Sequence, residues 1–170
     1  MTRWLILLAL GLGPVVIPAK SSPAEDTFAR IKSMAGTWTA HSTKGWDEDL
    51  RFQVIAGGSA VLETSFDAHP GETMATLFYM DGPRLMLTHY CVAKNQPRLM
   101  APRFDDDNRT VTFTFVDATN LPTRDHGHMD KVVYHFTDDD HTTSQWTWYQ
   151  DQKEQWMEKI DATRKRDATR

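Results

Sequence analysis

The stretch Arg84-Leu-Met-Leu-Thr-His-Tyr-Cys-Val-Ala-Lys-Asn-Gln-Pro-Arg98 decides how this chain folds. In an extended strand successive side chains face opposite sides, and in residues 85–92 both sides are largely apolar. A strand with two apolar faces is typical of the middle of a sheet that is covered on each side, as by a barrel interior on one face. The stretch therefore predicts a central strand that runs into a polar turn.

Short runs with apolar residues at alternate positions flank this strand on both sides. They predict strands near residues 37–42, 50–54, 60–66, 74–80, 99–104, 111–115, 129–136, 142–149 and 155–163. In the third of these runs the apolar face is Ala60, Leu62, Thr64 and Phe66, with Glu63 on the other face. Turn residues separate the runs, at Gly57-Gly58, His69-Pro70-Gly71 and Asp105-Asp106-Asp107-Asn108, and residues 117–127 form the longest predicted loop.

One helical pattern precedes the strands. Residues 26–34 place apolar side chains at three-residue spacing, with Ser22 or Asp26 as a cap and Gly36 as the stop. No second helical run follows. The sequence therefore predicts an all-β fold, an antiparallel up-and-down β-barrel of eight to ten strands with one short N-terminal helix that closes one end.

The first residues have the pattern of a secretory signal. Arg3 precedes the apolar run Trp4–Ile17, and small residues follow it up to Ala24. The apolar run is shorter than the roughly 20 residues that a membrane span needs. We therefore expect a signal peptide over 1–21, a barrel domain over 22–164 and a disordered basic tail over 165–170, in a secreted or periplasmic protein. An uncleaved N-terminal anchor is the alternative.

Charge and cysteine content exclude some partners. The formal net charge is −4, and loss of Arg3 and Lys20 with the signal would change it to −6. Non-specific binding of nucleic acid needs a basic surface, so we expect no nucleic-acid partner. One cysteine allows no internal disulfide, so the folded chain depends on its core. We expect a monomer or weak homodimer with no integral membrane segment after cleavage.

The segment Gly36-Thr37-Trp38 opens the first predicted strand after the helix. A short helix, Gly-x-Trp and a β meander with an aromatic last hairpin resemble the calycin superfamily of lipocalins, fatty-acid-binding proteins and nitrobindin-like haem proteins. The run Leu87–Cys91 with Asn95–Arg98 is similar to secreted bacterial members of unknown function. The resemblance covers about residues 26–164 and implies a lipocalin-like barrel with an interior cavity. Nitrobindin-like proteins carry a haem-ligating histidine near the C-terminal strand, which residues 155–166 lack, and we expect no cofactor.

The densest group of chemically capable side chains lies on the deciding stretch. We predict a ligand site formed by His89, Tyr90, Cys91, Asn95, Arg98, Trp146 and Trp148. Strand alternation allows only one of His89 and Tyr90 to face inward unless a bulge intervenes. Arg98 at the rim would suit a carboxylate head group, since its guanidinium can bind both oxygens. The tryptophans would form part of an apolar wall.

Other interpretations of these residues stay open. Cys91 is a nucleophile beside His89, a metal ligand with it, or a buried apolar residue. Asp125-His126-Gly127-His128 is a metal or catalytic fragment, or a solvated loop. Trp38 is a plug at the barrel floor or a cavity wall. The aromatic residues Phe113, Phe115, Tyr134, Phe136, Trp146, Trp148 and Trp156 are core, ligand cage or both.

No common catalytic motif is present in the chain: it has no Gly-x-Ser-x-Gly, no phosphate-binding glycine loop, no His-Glu-x-x-His and no paired cysteines. We therefore predict an exported protein that binds a small hydrophobic or amphipathic molecule in a barrel cavity, with no metal. The alternatives are an enzyme that uses a histidine general base in the same cavity and a structural or interaction protein of the cell envelope.

Overall fold

The computed structural model describes residues 20–66, 73–105 and 109–166, apart from the side chains of residues 66, 156 and 157. It contains one α-helix, one 3-10 turn at Ala56–Gly58 and ten strands. The elements are α1 Pro23–Ser33, β1 Gly36–Ser42, β2 Asp47–Ile55, β3 Ala60–Phe66, β4 Ala75–Asp81, β5 Arg84–Tyr90, β6 Gln96–Phe104, β7 Thr110–Thr119, β8 His128–Phe136, β9 His141–Gln150 and β10 Lys153–Arg164.

The ten strands form a closed antiparallel barrel in which each strand pairs with its neighbours in sequence. The barrel closes where β1 pairs with β10, with Trp38 opposite Arg164 and Ser42 opposite Ile160. Closure leaves no unpaired edge along the sheet. The all-β, up-and-down barrel predicted from the sequence is confirmed. Strand β5, which contains most of the two-faced apolar stretch, lies between β4 and β6.

Helix α1 begins three residues before the predicted start. Ser22 is its N-cap, and a capping box joins Ser22 to Glu25: the Glu25 amide donates to Ser22 Oγ and the Ser22 amide to Glu25 Oε2 at 2.7 Å. Pro23 occupies the first turn, where its missing N–H has no partner to lose. The reciprocal cap therefore determines where the helix starts.

We call the barrel end at which β1 begins the closed end. There the buried helix residues Phe28, Ile31 and Met34 belong to the same hydrophobic core as Trp38 and Phe52. The Trp38 indole N–H donates to the Met34 carbonyl at 2.8 Å, and its ring meets Phe52 edge-on with centroids 6.0 Å apart. Trp38 is thus a structural plug beneath the helix, which is one of the two roles the sequence left open.

Arg164, which the sequence did not single out, holds the end of α1 to the barrel. Its guanidinium donates to the Ser33 and Ala35 carbonyls, each at 2.9 Å, and lies 4.4 Å from the Trp38 ring centroid. Gly36 has a φ of +134°, and a Cβ there would lie 3.3 Å from Arg164 Nη1. The glycine therefore provides both the left-handed backbone and the room that Arg164 needs.

Three sequence expectations differ from the structure. Strand β7 continues to Thr119, because residues 117–119 pair with residues 96–98, so the predicted loop loses its first three residues. A bulge between Met129 and Lys131 interrupts the strict alternation expected along β8, which would place Met129 on the same face as the exposed His135, so Met129 is buried instead. On β3, Val61 and Glu63 are buried, the reverse of the predicted faces.

Some expectations fall on residues outside the described ranges. These are the signal peptide up to residue 19, the turn His69-Pro70-Gly71, residues 106–108 of the turn Asp105-Asp106-Asp107-Asn108, the side chain of Trp156 and residues 167–170 of the tail. Within the described ranges, Lys165 contacts Asp49 with Nζ 2.5 Å from Oδ2, and Arg166 pairs with Asp140. None of the helices described is both long and apolar enough to cross a membrane.

Candidate functional site

The barrel interior changes character along its axis. Near the closed end the inward residues are apolar, whereas toward the other end alternate positions on the strands bring polar groups inside. We call the second set the polar half. It contains Ser42, Glu48, Glu63, Ser65, Thr76, His89, Ser144, Trp146 and Glu158, of which Glu48 and Ser65 are half-buried and the others buried.

Glu63 on β3 lies at the centre of the polar half. Its Oε2 accepts a hydrogen bond from the Tyr134 hydroxyl, across the barrel on β8, at 2.8 Å. Burial raises the pKa of Glu63 to about 7, although the Tyr134 hydrogen bond opposes the shift. Glu63 is therefore a carboxyl group that holds or releases a proton near neutral pH.

Two further carboxyl groups lie near Glu63. The Ser42 hydroxyl donates to Glu158 Oε1 on β10. Burial, then the charges of Glu63 and Glu158, raise the pKa of Glu48 to about 7, and a hydrogen bond with Ser65 opposes this. Because burial and like charges disfavour ionisation, Glu48 and Glu63 together carry less negative charge at neutral pH than two isolated carboxylates would.

His89 completes a row around the barrel wall. Glu63 pairs with Thr76, and Thr76 pairs with His89, so the three inward side chains lie side by side on β3, β4 and β5. The Nδ1 atom of His89 is 3.0 Å from Thr76 Oγ1, and its Nε2 atom is buried without a hydrogen-bond partner. Burial lowers the pKa of His89 to about 4, so the imidazole is neutral at physiological pH.

Trp146 on β9 forms the opposite wall. Its ring is 4.8 Å from the His89 ring and 6.2 Å from the Tyr134 ring, centroid to centroid, and its indole N–H donates to Ser144 Oγ at 3.2 Å. Glu158 pairs with Trp146 across β9 and β10. Trp146 therefore lies between His89 on one side and Glu158 on the other, inside the same barrel interior.

Three other predicted site residues lie at the same end of the barrel. The Asn95 side chain is buried, and its amide donates to the Gly127 carbonyl at 2.8 Å, which ties the turn after β5 to the loop before β8. Trp148 packs on Gly127 so closely that a Cβ there would lie 2.2 Å from its Cζ2. Cys91 is partly buried, and burial raises the pKa of its thiol, which disfavours a thiolate nucleophile.

Tyr90 and Arg98 lie outside the barrel, so the structure does not bring them together with His89 and Trp146. Tyr90 is 49% exposed. Arg98 binds Asp117 through both ends of its guanidinium, with Nε 2.6 Å from Oδ1. The guanidinium group that was expected to bind a ligand carboxylate therefore binds a side chain of the neighbouring strand β7.

His126, in the loop before β8, and His128, the first residue of β8, have separate surroundings. His126 is exposed, with Nδ1 3.0 Å from Thr123 Oγ1. His128 is fully buried, and its Nδ1–H donates to the His126 carbonyl at 2.6 Å. Phe115, Arg124 and Tyr149 pack around the His128 ring. Within the described ranges, no three His, Cys, Asp or Glu side chains are arranged to hold a metal ion.

Sequence reasoning missed the carboxyl groups as site residues and named Tyr134 only among the aromatic residues that are core, ligand cage or both. On β3, alternation placed Ala60, Leu62 and Thr64 on the apolar face, so Glu63 was expected on the other face. Glu48 and Glu158 lie in segments of mixed polarity, where a single glutamate looks like any solvated position. Only the pairing of β3 with β2 and β4 would have shown which face is inside.

No protein-family model matches the sequence, and no curated protein does. Among solved structures, the fold is similar to that of Rv2717c from M. tuberculosis, with a TM-score of 0.55 and 10% identity over 82% of this chain and 98% of that one. It is also similar to a DUF3598-family protein of unknown function from Nostoc punctiforme PCC 73102, with a TM-score of 0.51 and 10% identity over 79% of this chain and 49% of that one. At this identity the likeness concerns the fold alone, which here is a closed antiparallel β-barrel.

Proposed function

We propose that this chain is a small-molecule binding protein that takes its ligand into the polar half of the barrel. The observation that carries the proposal is the buried Nε2 atom of His89, which has no partner and lies in the same interior as three carboxyl groups. Buried polar groups are nearly always hydrogen-bonded, and an unsatisfied one costs about 1–3 kcal/mol. A barrel that served only as a scaffold would be more stable with apolar side chains here.

The two ends of the barrel indicate the direction of entry. Helix α1 covers the closed end, where Phe28 and Trp38 are buried. At the opposite end, where Glu48 and Trp148 are half-buried, no described helix lies across the barrel, and we place the entrance there. The ligand therefore enters opposite the helix and meets Glu48 before Glu63.

The residues of the polar half favour an amphipathic ligand. Trp146 and Tyr134 offer aromatic surface, and apolar surface removed from water contributes about 25 cal/mol per Å². The carboxyl groups and His89 Nε2 would orient the ligand by hydrogen bonds. This refines the small hydrophobic ligand expected from the sequence toward one with a polar group.

A second candidate function is proton-transfer catalysis in the same place. Glu48 and Glu63 each have a pKa of about 7, which suits a pair in which one carboxyl donates and the other accepts a proton near neutral pH. His89, whose pKa is about 4, is a weak base. In this candidate mechanism the general base is therefore a carboxyl group and not the histidine expected from the sequence. NMR of the protein with each binding small molecule would show turnover, which Glu63→Gln should abolish even at a concentration that saturates the variant.

We also propose that the protein is exported and cleaved after residue 21. Arg3, the apolar run Trp4–Ile17 and the small residues that follow support this. Mass spectrometry of the mature protein should place its N-terminus near Ser22 or Glu25. An intact Met1 in the exported fraction would contradict cleavage.

Tryptophan fluorescence provides the test of binding, because Trp146 lines the proposed site. Fatty acids, haem and primary amines are titrated into the wild type, His89→Ala, Tyr90→Phe and Arg98→Ala. We expect at least one class to bind, with affinity reduced tenfold or more by His89→Ala. Tyr90→Phe and Arg98→Ala are matched controls from the outer surface and should leave affinity unchanged. Native mass spectrometry of the purified protein should show whether a small molecule of the same class copurifies.

Two results would overturn the proposal. One is that no class binds to a wild type whose unfolding transition shows that it is folded. The other is that the bound class is insensitive to His89→Ala but sensitive to Arg98→Ala, which would move the site to the outer surface.

A further inference from the structure

The polar half carries acidic groups without basic ones. Glu63 and Glu158 are buried, whereas no lysine or arginine in the described ranges is. The hydroxyls of Tyr134 and Ser42 each donate to one carboxyl group, which satisfies hydrogen bonding without balancing charge. A buried carboxylate is stabilised most by a cationic partner that also donates hydrogen bonds.

His89 points to a ligand independently of these carboxyl groups. It is 4% exposed, and its Nδ1 atom is held by Thr76, so Nε2 faces the interior with no partner. When the Thr76 hydroxyl accepts from Nδ1–H, Nε2 is a free acceptor for an N–H donor. An amine ligand would supply this hydrogen bond.

Trp146 supplies the third contact. Its ring lies against His89 and Tyr134, and Glu158 pairs with it on the next strand. A cation above an indole face is attracted by the electrons of the ring, most of all where water is excluded. Carboxyl groups, an unpaired imidazole nitrogen and an indole thus surround one interior.

We infer that the ligand of the polar half is a small organic ammonium ion, a primary amine on an apolar chain or ring. This inference rests on the proposed function and names its ligand class. The ammonium group would donate to Glu63 and to His89 Nε2, while the apolar part would lie against Trp146. A fatty acid would instead place a fourth carboxylate beside Glu48, Glu63 and Glu158, where like charges repel.

Three probes of one length separate charge from burial: hexylammonium, hexanol and hexanoate, titrated into the wild type by calorimetry at pH 7.5. All three bury the same alkyl chain, so differences in affinity report the head group. We expect hexylammonium to bind at least tenfold more tightly than hexanol, and hexanoate to bind most weakly.

Charge-neutralising variants locate the ammonium group. Glu63→Gln should weaken hexylammonium binding tenfold or more and leave hexanol binding unchanged. Glu48→Gln is the second variant, because Glu48 is half-buried and its replacement is less demanding for folding. Asp117→Asn removes one negative charge from the outer surface and is the matched control, with no change expected.

The failures are distinguishable. Equal or tighter binding of hexanol or hexanoate, weakened by His89→Ala, would overturn the ammonium inference and leave the proposed function standing. If none of the three probes binds and the fatty-acid, haem and amine panel also fails, both proposals fall. An equal loss in Asp117→Asn would show general charge attraction, and full competition by millimolar magnesium or calcium chloride would show a metal-ion site; either result overturns the ammonium inference.

Discussion

The closed end and the polar half of this barrel differ in how well their buried polar groups are hydrogen-bonded. At the closed end the Trp38 indole donates to Met34, and Arg164 donates to the carbonyls at the end of α1, although Thr27 Oγ1 on the same helix is buried without a partner. In the polar half Glu63 has one hydroxyl donor, and the Nε2 atom of His89 has none. The first region contributes stability, whereas the second reduces it.

This difference separates the stabilising part of the barrel from the part in which we propose that the ligand binds. Proteins keep groups that cost stability where a ligand or a reaction uses them. The pKa values of Glu63 and His89 are shifted in opposite directions by the same cause, burial of the charged form. Substitutions in the two regions should therefore change the free energy of unfolding with opposite signs.

The largest expected effect is at the closed end. Trp38→Ala removes a side chain that is 1% exposed and leaves a cavity beneath α1, which should reduce the free energy of unfolding by about 3–5 kcal/mol. Urea denaturation followed by circular dichroism measures the change. Val116→Ala, at an exposed position on β7, is the control and should have little effect. A loss under about 1 kcal/mol for Trp38→Ala would contradict the plug role.

The next effect has the opposite sign. Glu63 has a folded-state pKa of about 7, above its unfolded value, so the protein loses stability as pH rises from about 4.5 through 7. Glu63→Gln removes this loss and keeps an acceptor for Tyr134. Because one pKa unit corresponds to about 1.4 kcal/mol, the variant should be more stable than the wild type at pH 8 by up to about 3 kcal/mol.

At pH 4 the same variant should show no gain, because Glu63 is protonated in both states. His89 works in the other direction: its folded-state pKa of about 4 is below the unfolded value, so it reduces stability as pH falls from about 6.5 to 4. Comparing the pH profiles of Glu63→Gln and the wild type by urea denaturation isolates the carboxyl contribution. A gain of equal size at both pH values would contradict the assignment to Glu63 ionisation.

The third effect returns to the closed end. Arg164→Ala removes the donors to Ser33 and Ala35 and the cation above Trp38, and hydrogen bonds to charged groups contribute about 1.5–3 kcal/mol. We expect a loss of about 2 kcal/mol in urea denaturation. Arg166→Ala, which removes one exposed ion pair with Asp140, is the control and should cause a much smaller loss. Equal losses in both variants would show that Arg164 does not fasten the helix.

The smallest effect lies outside the barrel. Arg98 and Asp117 form an exposed ion pair, so a double-mutant cycle with alanine should give a coupling of about 1 kcal/mol or less. The coupling should shrink in 1 M salt, because ions screen exposed charges. A larger coupling that salt leaves unchanged would mean that the pair is more buried in solution than in the structure.

The sequence predicted the strands and the helix because these depend on local periodicity and turn residues, and it offered a plug as one of two roles for Trp38. It also placed His89 and Trp146 in one site, and the structure brings their rings together. It placed the apolar face of β3 on Ala60, Leu62 and Thr64, and alternation alone could not show that Val61 and Glu63 face inward or that a bulge buries Met129. Glu48 and Glu63 lie on consecutive strands, whereas Glu158 joins them only because the barrel closes where β1 pairs with β10.

Urea unfolding of the wild type and Glu63→Gln at pH 8, with and without hexylammonium, is the most direct test of the account. It measures whether Glu63 lowers the stability of the free protein and also binds the amine. A ligand that binds only the folded state stabilises it in proportion to its affinity. We predict that Glu63→Gln is the more stable protein without hexylammonium, and that hexylammonium stabilises the wild type but not the variant. A variant that is less stable without the amine and gains as much from it as the wild type would contradict the account.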